Sequence, residues 1–382
     1  MRRPTALYLL LTLAIAGGCS PEPELHLFDG GDIELTLPMV NIDLNTYWDY
    51  ETAYGEHYNW REEWHYGWDD EDQRLFGNIG YATPDIFQLR RYYTGDTPRG
   101  PHRNVLANTI RGNSFRGKYN WGFWDILVWN DIVTPDGVQS LNFDEQAAMD
   151  NVTAFTNATM SPSRYHAPVH NNSFYQPEDL FAAYAQGEEI NRDLRGFEYD
   201  AATNTYIKKL KMTLEPVTYI YLTQVIIHRN KGRIAGVDGS ANMSGMARTT
   251  TVNDGKAGDD AVSVYYNTRF KRNCDMHGEN VDIAGGKLMT FGICGQRANR
   301  IQRLQDVSDD NRHFMDVTMH FNNGLDSTFV FDVTDQVRRR WKGGVITVEL
   351  DMDSVRLPTR SGGSAFDAVV LDYIEETHEF GL

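Results

Sequence analysis

The side chain with the most specific chemistry in this sequence is the thiol of Cys19. It follows Gly17 and Gly18, which end an apolar run over residues 6–16 broken only by Thr12, and Arg2 and Arg3 precede that run. A positively charged start, a short apolar middle and a small-residue exit make a secretory signal. About 11 residues rise only about 16 Å as a helix, too little for a ~30 Å hydrocarbon core, so the run does not span a bilayer. A cysteine directly after two glycines suits lipoprotein maturation. The sulfur is acylated, the chain is cut before it, and the new amino terminus is acylated in turn. Residues 1–18 are therefore read as signal peptide, and residues 19–30 as acylated cysteine and linker.

The remaining candidates for chemistry are weaker. Cys274 and Cys294 form an even pair in an exported chain, which favours a disulfide; free buried thiols are the alternative. A bridge would close a loop of about 20 residues and contribute roughly 3 kcal/mol by chain entropy. No C-x-x-C pair is present, so these thiols do not suggest zinc. Residues 47–68 hold Trp48, Trp60, Trp64 and Trp68 among five tyrosines and end in Asp69–Asp72. Flat aromatic faces of this kind could stack on sugar rings; equally, they could cover a sheet or fill a core. His57, His65 and the acidic run could chelate a cation, but their spacing matches no recognised site.

Enzyme signatures are lacking: there is no G-x-S-x-G, H-E-x-x-H or P-loop sequence. His102, His166, His170, His228 and His277 show no partner pattern. With 53 acidic residues, carboxylate pairs carry no glycosidase signal. The sequence is read as non-enzymatic, with no cofactor and no metal.

These groups need elements to position them. The formal charge is −17, and loss of Arg2 and Arg3 with the signal takes it to −19. That balance argues against nucleic acid or an anionic membrane surface as a partner, since both call for a basic footprint. The mature chain, 382 less 18 or 364 residues, suits two domains better than one core. Alternation predicts strands over 32–37 and 40–44, and further strands over 87–93 and 104–111. Residues 124–130 read as a buried central strand, and residues 137–168 as polar and turn-rich. Pro177 followed by Glu178 and Asp179 predicts a short helix to Tyr184. The strongest strand signal is β-branched and aromatic throughout, over 217–228. Others follow over 206–214, 261–270, 287–294, 313–321, 327–333, 344–352 and 365–374, a spacing that suggests sandwiches of two packed sheets. The expected boundary falls near residue 214, giving domains at 31–214 and 215–382.

Several of these segments together resemble a known family. Gly117-Lys118-Tyr119 with the run to Asn130 is similar to a strand signature of the fimbrillin-superfamily lipoproteins of Bacteroidota. Residues 177–182, Ser244-Gly245-Met246-Ala247, Thr290-Phe291-Gly292 and residues 366–370 extend the likeness, and the segment ending at Cys19 resembles the bacterial lipobox, with Ala16 where leucine is commonest. The resemblance implies an all-β fold of two consecutive transthyretin-like (Greek-key) β-sandwich domains with at most a short helix. It implies a surface lipoprotein of the outer membrane, held by its lipid (palmitate-type acylation at Cys19). The role would be anchor or accessory subunit, with fimbrial subunits as partners joined by strand addition. The consecutive arginines Arg90-Arg91 and Arg338-Arg339-Arg340 do not lie between a first strand and the rest, so a retained first strand is expected. Asp326-Ser327-Thr328 and Asp353-Ser354-Val355 resemble the O-glycosylation sequence of these bacteria, making Ser327 and Ser354 candidate sites. Glu22 and Glu24 resemble a signal for surface export. A glycan-binding role for Trp48, Trp60, Trp64 and Trp68 is the alternative function.

Overall fold

The computed structural model describes residues 31–37, 44–48, 58–132, 139–145, 148–162, 172–295, 312–359 and 369–371. Cys19 and the expected leader lie outside them, as do most of residues 40–44 and 365–374; of these, Leu44 opens a helix, Leu44–Trp48, and Val369–Leu371 is a strand. Strands dominate, and the fold is all-β.

Two sandwiches account for most of the chain. In the first, one sheet runs in the order Phe197–Asp200, Thr205–Lys211, Gly31–Thr36, Ser114–Tyr119. Its partner sheet runs Glu215–Pro216, Phe181–Ile190, Gly122–Asn130, Ile86–Gly95, Asn104–Arg111. The alternation of Gly31–Thr36 sends Ile33 and Leu35 into the core and leaves Asp32 and Glu34 partly exposed. Ile126 and Val128 meet that core from the opposite sheet, while Leu127 and Trp129 face the other way into a second cluster with Leu141, Val152 and Phe291. Burial on both faces explains why Gly122–Asn130 reads as a continuous apolar run.

The second sandwich packs the sheet Arg269–Met276, Glu279–Thr290, Tyr219–His228, Gly344–Asp351 against a seven-stranded sheet. The latter runs Val369–Leu371, Asp326–Asp332, Phe314–Phe321, Ile234–Ala247, Ala261–Asn267, Asn172–Tyr175, Ala158–Pro162. Tyr219, Tyr221, Val225 and Ile227 point into this core. Ile220 and Leu222, on the opposite face of the same strand, join the core of the first sandwich.

Two local readings are corrected. Residues expected as a helix after Pro177 are extended, and Phe181–Ile190 is a strand paired with Gly122–Asn130. Its Phe181 is buried, and two-sided strand pairing outweighs a helix-start signal worth at most a kcal/mol or so. The turn-rich region is not all loop: Leu141–Asp144, Thr153–Thr156 and Ala158–Pro162 are strands. Ala158–Pro162 and Asn172–Tyr175 extend the sheet of the second sandwich, through the parallel pair Val264↔Phe174, so that sheet draws on residues from both sides of position 214.

The disulfide is also corrected, because Cys274 and Cys294 are both free. Cys274 lies opposite Val281, and Cys294 follows Val281 by 13 residues, of which the first nine continue the same strand to Thr290. At ~3.3 Å per residue that strand carries the chain about 30 Å away, against the ~7 Å limit for bridging Cα atoms.

Candidate functional site

Residues 58–81 form an aromatic strap laid across the outer face of the sheet Arg269–Met276 to Gly344–Asp351. It starts from Tyr58, whose hydroxyl accepts from Val345 N at 2.8 Å and whose ring lies 4.6 Å below the Arg340 guanidinium. The short helix Trp60–Glu63 follows, and Glu63 binds Arg340 through both carboxylate oxygens at 2.8 and 2.7 Å. Burial is the main influence on Glu63 and raises its pKa, with Arg340 opposing.

Gln224 is the centre of the attachment. Its side chain is fully buried at 0% exposure, in the middle of a strand that is otherwise apolar on this face. Oε1 accepts from His65 N at 3.0 Å and from Tyr66 N at 3.2 Å, while Nε2 donates to Glu63 O at 2.6 Å and Thr347 Oγ1 at 2.8 Å. One amide thereby satisfies three main-chain groups of the strap, which has no strand partner of its own here. The Tyr66 ring lies on Gly285, where a β-carbon would approach it to 2.8 Å. Tyr66 packs with Ile226, Val281 and Ile283.

The acidic run has a structural explanation. Asp69 caps the helix Asp70–Phe76, accepting from Glu71 N and Asp72 N in a capping box with Asp72. Asp72 is buried at 0% exposure and accepts from Tyr66 Oη at 2.9 Å, Arg269 Nη1 at 2.8 Å and Lys271 Nζ at 2.5 Å. A carboxylate removed from water needs such donors, and here they come from the underlying sheet. Arg269 and Lys271 hold the ionised form of Asp69 well below the usual carboxylate range, with its main-chain donor Asp72 contributing. Among the described residues no group of three or more His, Cys, Asp or Glu side chains is placed to hold a metal ion. Further along, Lys287 donates to Asn78 O at 2.7 Å and Tyr81 donates to Thr218 O at 2.9 Å.

The sugar-platform expectation is corrected for two of its four rings. Trp48 is 3% exposed and Trp60 is 7% exposed, and they pack edge to face 5.8 Å apart inside the first core. Trp64 and Trp68 are half-buried against the same cluster, and the Trp64 ring nitrogen donates to Gly67 O at 3.1 Å. No open row of four faces exists. Sequence alone gave little sign of Gln224, Arg269, Lys271, Lys287 or Arg340, because each acts on a segment roughly 160 to 280 residues away.

The strap and the helix Thr334–Arg339 together close an edge. On Gly344–Asp351, the outer side of the strand is met by side chains: Arg340 donates to Val345 O at 2.6 Å, and Gln336 exchanges two hydrogen bonds with Thr347 main chain at 2.8 and 3.0 Å. Together with Tyr58 these groups occupy positions that an added strand would need.

His102 and Asp125 are the pair most like a catalytic dyad, 2.8 Å apart and both shielded. Met149 N donates to His102 Nδ1 at 3.1 Å, so the ring hydrogen must sit on Nε2 and face Asp125. Gly187 N occupies the other carboxylate oxygen at 2.7 Å. Both imidazole nitrogens are thus engaged in tying a loop to the sheet, and neither is available to take a proton from a substrate. Of the two glycosylation candidates, Ser327 is half-buried within a paired strand, whereas Ser354 is exposed in the turn after Gly344–Asp351, its hydroxyl donating to Asp351 O at 2.7 Å.

No family model matches the sequence. No curated protein matches it either. Among solved structures, the chain is similar to a candidate adhesin from Bacteroides ovatus, with a TM-score of 0.48 at 13% identity over 94% of this chain and 98% of that one. It is also similar to the fimbrial anchor protein Mfa2 from Porphyromonas gingivalis, with a TM-score of 0.39 at 10% identity over 84% of this chain and 90% of that one. A third similar structure is the tip fimbrial protein Mfa3 from the same organism, with a TM-score of 0.31 at 9% identity over 78% and 81%.

Proposed function

We propose that the protein is a non-enzymatic surface lipoprotein of the outer membrane that serves as an anchor or accessory subunit of a fimbria-like polymer and associates by strand addition. The observation that carries this reading is the setting of the first described strand. Gly31–Thr36 begins 12 residues after Cys19 and lies inside its sheet, parallel to Thr205–Lys211 on one side and antiparallel to Ser114–Tyr119 on the other. Tension from a lipid at Cys19 enters that strand at Gly31. Load along the strand axis strains both ladders together instead of opening one hydrogen bond at a time. Arg116 adds a cross-strand tie, binding Asp32 at 3.0 Å and Asp200 at 2.8 Å.

The arginine runs support a retained first strand. Arg90 and Arg91 lie within Ile86–Gly95, with Arg90 bound to Glu145 and Arg91 buried, and Arg338 and Arg339 end the helix Thr334–Arg339. Neither run is an exposed link after Gly31–Thr36. The glycan-platform alternative loses its supporting geometry with the burial of Trp48 and Trp60.

Fractionation of cells expressing Cys19→Ser tests the tether, and co-purification of fimbrial subunits with the native protein tests the role. The reading expects Cys19→Ser to leave the membrane fraction and native protein to retain a polymer at the cell surface. A Cys19→Ser protein that still partitions with membranes overturns the tether. Native protein that binds no fimbrial subunit overturns the polymer role.

A further inference from the structure

We propose that the outer edge of Asn104–Arg111 is a docking site for an extended acidic polypeptide strand of a partner protein. This names the chemistry of the strand in the accessory-subunit reading, and rests on that reading for the partner's source.

The edge is open in its hydrogen bonding. Asn104–Arg111 is the last strand of its sheet, and Ser114–Tyr119, which follows after a two-residue turn, is the last strand of the facing sheet. Gly112 N donates to Asp85 O at 2.8 Å, which sets the alternation of the ladder with Ile86–Gly95. Asn104, Leu106, Asn108 and Ile110 therefore turn their main-chain groups inward, and Val105, Ala107, Thr109 and Arg111 turn theirs outward. The outward groups have no main-chain partner among the described residues. Unlike Gly344–Asp351, this edge is plugged by no side chain among the described residues. Val105, at 39% exposure, offers an apolar contact beside it.

The charge of the edge selects its occupant. Residues 97–124 contain Arg99, Arg103, Arg111, Arg116 and Lys118 and no Asp or Glu, within a chain of net charge −17. Arg116 is engaged by Asp32 and Asp200. Arg99, Arg103, Arg111 and Lys118 are exposed and have no carboxylate partner among the described residues. Some exposed bases elsewhere find acids among the described residues, as in Lys209–Glu198 and Arg229–Asp351, and others, such as Arg74 and Lys211, do not; this segment differs in holding five bases and no acid of its own. Arg103 and Arg111 bracket the edge, about 26 Å apart on an extended strand. A second copy of the same edge, centred and antiparallel, would set Arg103 against Arg111, and like charges directly opposite are destabilising. An acidic strand meets both needs, main-chain pairing and charge. An anionic polysaccharide would meet only the second, leaving eight residues of strand edge without a ladder.

The test uses purified full-length protein and four probes: a ten-residue peptide alternating Glu with Val and Thr, the same peptide with Lys for Glu, the acidic peptide with alternate amides N-methylated, and polygalacturonate. The acidic peptide is expected to bind and to slow hydrogen exchange at Val105, Ala107, Thr109 and Arg111. Arg103→Glu with Arg111→Glu should weaken it roughly tenfold, the order expected from two surface ion pairs. Ala107→Pro keeps the charge and removes one outward N–H at an edge position where proline is tolerated, and should also weaken binding. Equal binding of the Lys or N-methylated peptide, binding of polygalacturonate alone, unchanged affinity in a folded Ala107→Pro protein, or no peptide binding each overturns the proposal. Because neither lipid nor fimbria enters this assay, its failure leaves the Cys19 test standing, and the reverse holds as well.

Discussion

Replacing Gln224 by leucine should loosen the strap that joins the two sandwiches. Leucine has nearly the same volume but none of the four hydrogen bonds. His65 lies near the surface, and its amide can turn to water. Tyr66 N, Glu63 O and the Thr347 hydroxyl are covered by the strap itself. Three groups left dry at about 1–2 kcal/mol each, offset by about 1 kcal/mol for the less polar side chain, give a net loss of about 3 kcal/mol. That is a large share of the 5–15 kcal/mol typical of a folded domain. Urea unfolding would show a lower midpoint at unchanged slope, and hydrogen exchange would rise most at the Trp64 to Tyr66 amides. A destabilisation below about 1 kcal/mol, with exchange over residues 58–81 unaltered, would show that the aromatic contacts alone hold the strap and that the Gln224 argument is wrong.

Trp60→Ala should behave as a core mutation, costing about 3–5 kcal/mol by thermal or urea unfolding and leaving any binding of polysaccharide to the folded fraction unaltered. Gly285→Ala should displace the Tyr66 ring, because the added methyl meets both that ring and Thr223 O at 2.8 Å; a shifted tyrosine fluorescence with a lower melting temperature would report it. Reductant should leave the melting temperature unchanged, and a thiol reagent should modify the partly buried Cys274 slowly and Cys294 only on unfolding, since burial pushes the Cys294 thiol up to about 12, helped by Asp259 and Asp260. His313 is lowered to about 4 by burial, so its neutral form stabilises the fold above the ordinary value of about 6.5 and that contribution is lost as pH falls from there to 4. The loss should approach about 3 kcal/mol and be absent in a folded His313→Gln variant, read from melting temperature against pH.

Much of the strand content is legible from the residues themselves. Alternation placed Ile33 and Leu35 on one face, the unbroken apolar run to Asn130 announced a strand covered on both sides, and the β-branched run to His228 marked the axis of the second sandwich. These signals are local, because side-chain period and β-branching act within a few residues. The segment after Pro177 shows the limit of such signals. Its capping pattern is real, but its neighbour strand lies some 55 residues earlier, and pairing there decided the conformation.

For residues 47–68 the sequence determined only that a dense group of large aromatic rings had to be placed. Ring chemistry serves a sugar, a core or a sheet face equally well, since apolar burial has no direction of its own. Tertiary structure decided the matter through polar partners far along the chain: Gln224 under the strap, Arg340 at Glu63, and Arg269 with Lys271 at Asp72. The same division holds for charge. Composition fixed a net excess of acid, but only the fold set an acid-free strand at a sheet edge, because which bases find carboxylates depends on which strands become neighbours.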